Sequence, residues 1–232
     1  MSQTPSNIGQ PASPTLLVSG ASGGLGRAVV EHLLTSLEVA PERLVATTRH
    51  PDKLAELTQR GVTVRPADFD DPGSLESAFS GAQRLLLIST DALEQPGKRL
   101  AQHRAAVAAA EAAGVAHVVY TSMPNAPTSK VLFAPDHAGT EQALEESDLG
   151  YTVLRNHWYY ENLYMTLPSI LPQGTWYSAA EEGRTADIAR DDLAYAAAVA
   201  LAGRAGAPAV DSARRTFTLS GLEARTTAEI AA

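Results

Sequence analysis

Short apolar runs alternate with amphipathic or alanine-rich stretches along most of this sequence. The apolar runs predict strands at 15–19, 43–48, 62–65, 84–88, 115–121 and 151–155, and the stretches between them predict helices at 24–37, 51–59, 72–79, 97–113 and 136–147. A continuous apolar run such as RLLLI at 84–88 is typical of a parallel strand that is buried on both faces. Regular alternation with short connections predicts an α/β fold, a doubly wound parallel sheet with right-handed crossovers.

The alternation weakens after Arg155. An aromatic-rich stretch follows at 157–167, and the pattern beyond it predicts a turn at 172–174, a helix at 191–201 and a strand at 215–220. Thr226 begins a last predicted helix, in which Glu229 stands three residues on and completes a capping box. Because that helix has only a turn or so before Ala232, we expect the C-terminal part to be cut short.

A glycine-rich turn joins the first predicted strand to the first predicted helix. In the stretch LLVSGASGGLGRA, at 16–28, Gly20, Gly23 and Gly26 recur at three-residue spacing. Backbone N–H groups at a helix start have no partner within the helix, and the helix dipole favours an anion there. Three glycines can also simply shape a tight loop. Their place directly after the first strand favours a cradle for the diphosphate of a dinucleotide, which a side chain at Gly23 or Gly24 would block.

Composition narrows the classes of function. The chain has 232 residues, which suit one α/β domain with a small appendage, and it has no cysteine, which excludes disulfides, thiolate metal sites and thiol nucleophiles. We predict no metal site. A net charge of -8 argues against nucleic acid and anionic membranes as partners. Because no apolar run approaches the roughly 20 residues that span a bilayer and no signal peptide is recognisable, we predict a cytoplasmic protein with a small-molecule ligand.

The residues after the second predicted strand bear on the choice of dinucleotide. In such a fold an acidic residue there binds a free ribose 2′-hydroxyl, whereas an arginine accommodates a 2′-phosphate. The sequence has Arg49 at this place and no acidic residue until Asp52, so we favour NADPH over NADH. The alternative is that Arg49 is a solvated residue at a strand end. Asp68 either accepts a hydrogen bond from the adenine amino group or belongs to a turn or helix cap.

Four motifs together give the chain a family resemblance: GASGGLG at 20–26, AQHR at 101–104, YTS at 120–122 and LRNHWYYEN at 154–162. From about Thr15 to the C-terminus, the sequence resembles the NmrA-like branch of the atypical short-chain dehydrogenases/reductases. Within that branch it is most similar to the NADPH:quinone oxidoreductases of the second type and the triphenylmethane reductases. The resemblance implies a Rossmann-type NAD(P)-binding domain at 15–156, after a disordered tail at 1–14. It also implies a small substrate lobe at 157–232, with a strand or helix that returns to the main sheet.

The resemblance also implies which residues meet the cofactor and the acceptor. Ser89 and Thr90 would line the nicotinamide side, with Ser122 near it. The predicted cofactor set is Gly20, Ser22, Gly23, Gly24, Leu25, Gly26, Arg49, Asp68, Ser89, Thr90 and Thr121, and the predicted acceptor set is Asn156, Trp158 and Tyr159. Gln102 and His103 match a family motif on the long helix, and we interpret His103 as a buried, hydrogen-bonded residue rather than a catalytic one.

The acid/base pair of conventional short-chain dehydrogenases is missing. Those enzymes use Tyr-x-x-x-Lys on the helix after strand five, where the lysine lowers the tyrosine pKa. No tyrosine in this sequence has a lysine four residues on. His137 and Glu141 stand at the corresponding place, four residues apart on one helical face. They are either a histidine acid oriented by a carboxylate, or a surface pair or helix-start histidine without a catalytic role. Ser122 is the third candidate for a catalytic role.

The missing pair favours an acceptor that needs little acid catalysis. A quinone accepts hydride readily and water can protonate its reduced oxygens, so transfer needs mainly proximity and orientation. We therefore predict an NADPH-dependent oxidoreductase that transfers hydride directly to a quinone or similar flat, electron-poor acceptor, on which Trp158 and Tyr159 could stack. The alternatives are a non-catalytic, redox-sensing NAD(P)-binding regulator and a reductase of an imine, an activated alkene or a dye. The resemblance is also compatible with a homodimer.

Overall fold

The computed structural model describes residues 14–203 and 212–232. Apart from Pro14, the tail predicted to be disordered lies outside the described residues. The strands are β1 (Leu16–Val18), β2 (Leu44–Thr48), β3 (Thr63–Pro66), β4 (Arg84–Leu87), β5 (His117–Ser122), β6 (Gly150–Asn156), β7 (Arg184–Thr185), β8 (Arg214–Leu219) and β9 (Arg225–Thr226).

The main sheet has seven parallel strands in the order β3-β2-β1-β4-β5-β6-β8. The chain runs outward from β1 to β3 and then crosses back to β4 on the other side of β1. In open α/β sheets, ligands bind beyond the carboxyl ends of the strands at such a reversal of order. The reversal between β1 and β4 is therefore the place to look for a site. A separate antiparallel pair is formed by β7 and β9.

Helices connect the strands. They are α1 (Gly24–Glu31), α2 (Ala55–Gln59), α3 (Pro72–Phe79), α4 (Lys98–Ala112), α5 (Ala134–Glu146), α6 (Leu163–Gln173), α7 (Arg190–Ala202) and α8 (Thr227–Ala231). A π-helical segment, His32–Ser36, continues α1, and short 3₁₀ turns stand at Pro41–Arg43, Pro51–Leu54 and Tyr160–Asn162.

The core lies on both faces of the sheet. Successive side chains of a strand point to opposite faces, so Leu16 and Val18 pack into the cluster that contains α1 and α7, whereas Leu17 packs into the cluster that contains α3 and α4. All residues of β4 are buried. The predicted α/β fold with a doubly wound parallel sheet is confirmed.

The predicted elements up to residue 156 are present, with ends that differ by one to a few residues. The larger differences come later in the chain. The helix α6 lies in the aromatic-rich region, where Pro168 and Pro172 argue against a helix and hide it from a sequence pattern. The predicted capping box is confirmed, because Glu229 N–H donates to Thr226 Oγ1 at 3.1 Å and Thr226 N–H donates to Glu229 Oε2 at 2.8 Å.

Two elements after residue 156 belong to the main layers. The helix α7 packs against α1, and β8 is paired in parallel with β6. The proposed division into a cofactor domain and a substrate lobe at this residue stays a prediction. Within 14–203 and 212–232, no helix has both the length and the apolar character needed to cross a bilayer.

Candidate cofactor and acceptor site

A cavity of about 830 Å³ opens beyond the carboxyl ends of the central strands. Every residue of the predicted cofactor set lines it, from the glycine-rich turn and Arg49 to Thr90 and Thr121. The lining also includes Gln102, Lys98 and Arg190, which were not in that set. The structure thus brings the predicted residues together, and their contacts with a bound cofactor stay a prediction.

The backbone of the glycine-rich turn requires glycine at two positions. Gly20 has a φ of +61°, and a Cβ on Gly26 would lie 2.5 Å from the Gly20 carbonyl oxygen, so neither position accepts a side chain without strain. No side chain caps the N-terminus of α1, and its first turn lines the cavity. The N–H groups of a first helical turn have no partner in the helix. The cavity therefore offers free donors and a favourable dipole to an anion.

Charged side chains line the cavity on both sides of this turn. Arg49 is exposed at the end of β2, whereas Lys98 forms an ion pair with Asp70 at 2.8 Å. Asp68 Oδ1 accepts from the Asp70 N–H at 3.0 Å, so Asp68 shapes a turn while it lines the cavity. The cap of α3 is Asp71, whose Oδ1 accepts from the Gly73 N–H at 3.1 Å. Asp68 is therefore not the helix cap.

Thr90, which follows β4, is held by three side chains of α4. Its carbonyl oxygen accepts from Arg99 Nε at 2.6 Å, its hydroxyl donates to Gln102 Oε1 at 2.7 Å, and its N–H donates to His103 Nε2 at 3.0 Å. We call Arg99, Gln102 and His103 the Thr90 clamp. The neighbouring Ser89 N–H donates to Thr121 Oγ1 at 2.9 Å. The backbone at the reversal of strand order is therefore fixed by side chains on two elements.

His103 is fully buried and hydrogen-bonded at both ring nitrogens, as predicted. Because Nε2 accepts from the Thr90 N–H, the ring proton belongs on Nδ1, which lies 2.9 Å from Thr140 Oγ1. Burial, reinforced by the Arg99 charge, lowers the pKa of His103 to about 3. The imidazole is thus neutral at physiological pH and acts as a fixed acceptor for Thr90.

The three predicted catalytic residues, Ser122, His137 and Glu141, are buried and do not line the cavity. Glu141 accepts from Ser122 Oγ at 2.5 Å and forms an ion pair with Arg155 Nη2 at 2.5 Å. His137 Nδ1 faces the Tyr120 hydroxyl at 2.8 Å instead. The predicted pairing of His137 with Glu141 is therefore wrong, because the arginine and the serine hydroxyl occupy the carboxylate. The alternative of a surface pair is also wrong, since both residues are buried. The other alternative, a histidine at a helix start, agrees with the structure, because His137 lies in the first turn of α5.

The predicted acceptor residues separate into two kinds. Tyr159 lines the cavity, and its hydroxyl accepts from Asn156 Nδ2 at 3.3 Å. Asn156 is buried, and its Oδ1 has no partner in the described chain. The side chain of Trp158 is 49% exposed and does not line the cavity. Of the three predicted acceptor residues, only Tyr159 therefore lines the cavity. Asn156 reaches it only through the hydroxyl of Tyr159.

Sequence reasoning missed Arg190, Arg99 and the carboxylate partner Arg155. Arg155 lies inside the quoted LRNHWYYEN motif, which was a usable signal. Arg190 starts α7, far from β1 in sequence, and comes to the glycine-rich turn only because α7 packs on α1. Nothing local in the sequence marks it.

Comparison with known proteins agrees with this geometry. A family described as NAD(P)H-binding matches residues 20–203. Quinone oxidoreductase 2 of Escherichia coli (strain K12) is 39% identical over 219 residues, which are 94% of this chain and 72% of that protein. The NmrA-like family domain-containing oxidoreductase flvB of Aspergillus flavus is 33% identical over 186 residues, 78% of this chain and 60% of the relative. The triphenylmethane reductase of Citrobacter sp., solved in complex with NADP(H), superposes with a TM-score of 0.84 at 32% identity, over 94% of this chain and 73% of that one.

A glycine-rich turn at the strand-order reversal of a doubly wound sheet defines a dinucleotide-binding protein of the α/β class. The matches narrow this class. The chain belongs to the NAD(P)H-binding, NmrA-like family of oxidoreductases.

Proposed function

We propose that this chain is an NADPH-dependent reductase that transfers a hydride directly to a quinone or a similar flat, electron-poor acceptor. The observation that carries the proposal is the single cavity shared by the glycine-rich turn, Arg49, Thr90 and Tyr159. A dinucleotide anchored at one end of such a cavity presents its other end to the acceptor wall. Proximity and orientation then supply most of what the transfer needs.

The chain's own residues match the parts of NADPH. The first turn of α1 offers N–H donors to the diphosphate, and Arg49 offers a guanidinium to the 2′-phosphate. The clamped Thr90 and its neighbour Ser89 form the wall where we place the nicotinamide. When bound, the cofactor supplies the hydride.

Tyr159 is suited to contact the acceptor. Its hydroxyl accepts from Asn156, so its own O–H remains free to donate. Burial raises the pKa of Tyr159, although the hydrogen bond from Asn156 acts in the opposite direction. The raised pKa keeps the hydroxyl protonated. The side chain therefore offers a ring face and a hydrogen-bond donor, for example to a quinone carbonyl, and not a base.

The relatives support this class of reaction. One is named a quinone oxidoreductase and another a triphenylmethane reductase, both at more than 30% identity. Both names indicate flat, conjugated acceptors. The second name also supports dye cations as an alternative acceptor class for this chain.

The experiment measures NADPH oxidation by the wild type and by the variant Tyr159→Phe. The acceptors are a panel of small quinones, a triphenylmethane dye and an imine. We expect turnover with quinones, and a roughly 2- to 10-fold lower kcat for the variant, because it loses one neutral hydrogen bond while it keeps the ring. The control variant is Tyr177→Phe, which removes the hydroxyl of an exposed tyrosine outside the cavity lining.

Three results would distinguish the alternatives. Faster turnover of the dye than of any quinone favours a dye reductase. Faster turnover of the imine than of any quinone favours an imine reductase. Tight binding of NADPH and NADP⁺ without any turnover favours the regulator. The cytoplasmic location and the homodimer stay predictions, and the dimer is tested by the mass of the protein in solution.

A further inference from the structure

Arg190 reaches the glycine-rich turn from α7, which packs against α1. It is the first residue of α7, and its Nη1 lies 3.0 Å from the place where a Cβ on Gly24 would stand. An alanine or a larger residue at position 24 would therefore meet this guanidinium. Gly24 and Arg190 both line the cavity. The guanidinium is thus beside the first turn of α1.

Two neighbours hold Arg190 in this position. Its backbone N–H donates to both carboxylate oxygens of Glu161, at 3.1 and 3.0 Å, which fixes the start of α7. Its guanidinium carbon lies 5.9 Å from the centre of the Tyr159 ring. An arginine over an aromatic face keeps its planar donor groups pointing outward from the ring edge. The side chain is therefore placed by contacts that leave its hydrogen-bond donors available.

The charge of Arg190 is not matched by an ion pair with any residue that the structure describes. Other arginines are paired, for example Arg155 with Glu141 and Arg184 with Glu229. Arg49 is the other arginine of the cavity lining, and it too lacks an ion pair within the described ranges. Two unmatched guanidinium groups thus stand on one cavity, one after β2 and one beside the turn. NADPH has two anionic parts, the 2′-phosphate and the diphosphate.

We propose that Arg190 is a ligand of the cofactor diphosphate and that it completes, from α7, the anion site that the first turn of α1 begins. The inference rests on the proposed use of NADPH and assigns its second anionic part to a residue outside the glycine-rich turn. A guanidinium binds phosphate oxygens through parallel N–H donors, which backbone amides on one side of the anion cannot do alone. The C-terminal part of the chain is then needed for cofactor affinity as well as for the acceptor wall.

The test compares ligands that differ in the diphosphate. NADP⁺ has both anionic parts and the nicotinamide riboside, whereas adenosine 2′-monophosphate has the 2′-phosphate and neither of the other two. A third ligand, 2′-phospho-ADP-ribose, has both anionic parts and lacks only the nicotinamide, so a loss at the diphosphate weakens its binding as much as that of NADP⁺. Binding of each to the full chain is measured by isothermal titration calorimetry for the wild type, Arg190→Gln, Arg190→Lys and Arg104→Gln. Arg104 is an exposed arginine of α4 that does not line the cavity, so it is the matched control.

We expect Arg190→Gln to weaken NADP⁺ binding by about 10- to 100-fold, as the loss of a charge-assisted hydrogen bond predicts. Binding of adenosine 2′-monophosphate should stay within about twofold of the wild type, and Arg190→Lys should recover part of the loss because it keeps the charge. Arg104→Gln should bind all three ligands as the wild type does. Thermal denaturation of each variant verifies that it is folded.

Each other result overturns a defined claim. If Arg190→Gln binds NADP⁺ as the wild type does, or loses affinity equally for NADP⁺ and for adenosine 2′-monophosphate, the role of Arg190 is overturned. The proposed cofactor and the proposed reaction are not affected by that result. A wild type that binds no NADP⁺ overturns both this role and the proposed cofactor. A wild type that binds NADP⁺ but reduces no acceptor overturns the proposed reaction and leaves the comparison of the ligands valid.

Discussion

At the scale of single residues, Arg49 tests the choice between NADPH and NADH. We expect Arg49→Gln to raise the KM for NADPH by about 10- to 100-fold and to change the KM for NADH by less than about twofold, since only NADPH has the 2′-phosphate. The measurement is steady-state kinetics with each cofactor at a fixed quinone concentration. Lys53→Gln, an exposed cation outside the cavity lining, is the control. Unchanged KM values for both cofactors would show that Arg49 is only a solvated strand-end residue, and an equal rise of both would contradict its contact with the 2′-phosphate.

The variant Glu141→Gln tests whether Glu141 has a catalytic or a structural role. Its carboxylate is buried between Ser122 and Arg155, and the bond to Glu141 raises the pKa of that arginine. We expect Glu141→Gln to lower the free energy of unfolding by about 1–3 kcal/mol, because a charged partner is lost at a partly exposed arginine. The measurement is urea denaturation alongside kcat. A large fall in kcat at unchanged stability would instead support the predicted catalytic role.

At the scale of elements, α4 acts on the site through the Thr90 clamp. Removing His103 leaves the partly buried N–H of Thr90 without its acceptor, which costs up to about 1–3 kcal/mol of stability. We expect His103→Ala to lower kcat more than it changes the binding of adenosine 2′-monophosphate, because Thr90 faces the proposed nicotinamide end. His103→Gln, which retains a side-chain acceptor, should recover part of kcat. If kcat and the binding of adenosine 2′-monophosphate fall equally, the Thr90 clamp supports the whole fold and not specifically the cavity wall at Ser89 and Thr90.

An element could be predicted when residues close together in the sequence mark it. Most of the strands β1 to β6 have apolar runs bounded by turns, and the short β3 has turn signals on both sides, so their presence follows from the sequence alone. The strand β8 is mostly exposed and was recognised as a strand, but its place beside β6 is a tertiary pairing. The helix α6 contains two prolines and has no buried residue, so neither periodicity nor propensity indicated it.

At the scale of the whole molecule, two of the buried histidines, His103 and His137, make stability depend on pH. Burial, together with the Arg99 charge, lowers the pKa of His103 and of His137 from 6.5 to about 3. Between these values the unfolded chain binds more protons than the folded one, so the free energy of unfolding falls as the pH decreases from about 6.5 towards 3. Each histidine adds at most about 1.4 kcal/mol per pH unit to that slope.

The measurement is urea denaturation between pH 7.5 and 4.5 for the wild type, His137→Asn and His50→Asn. We expect His137→Asn to flatten the dependence on pH, because one of the two imidazoles with a lowered pKa is removed. His50 is exposed and lies outside these contacts, so its variant should follow the wild type. An unchanged slope in His137→Asn would contradict the depressed pKa of that histidine.

The sequence by itself determined the α/β class, the parallel sheet, the glycine-rich turn and the position of Arg49, because each depends on residues that are near one another along the chain. Only the tertiary structure decided which polar groups meet. It bound Glu141 to Arg155 and Ser122 instead of His137, closed Arg99, Gln102 and His103 on Thr90, and brought Arg190 beside Gly24. These contacts join residues on different elements, and their partners are selected by how the helices pack on the sheet, which local periodicity does not encode.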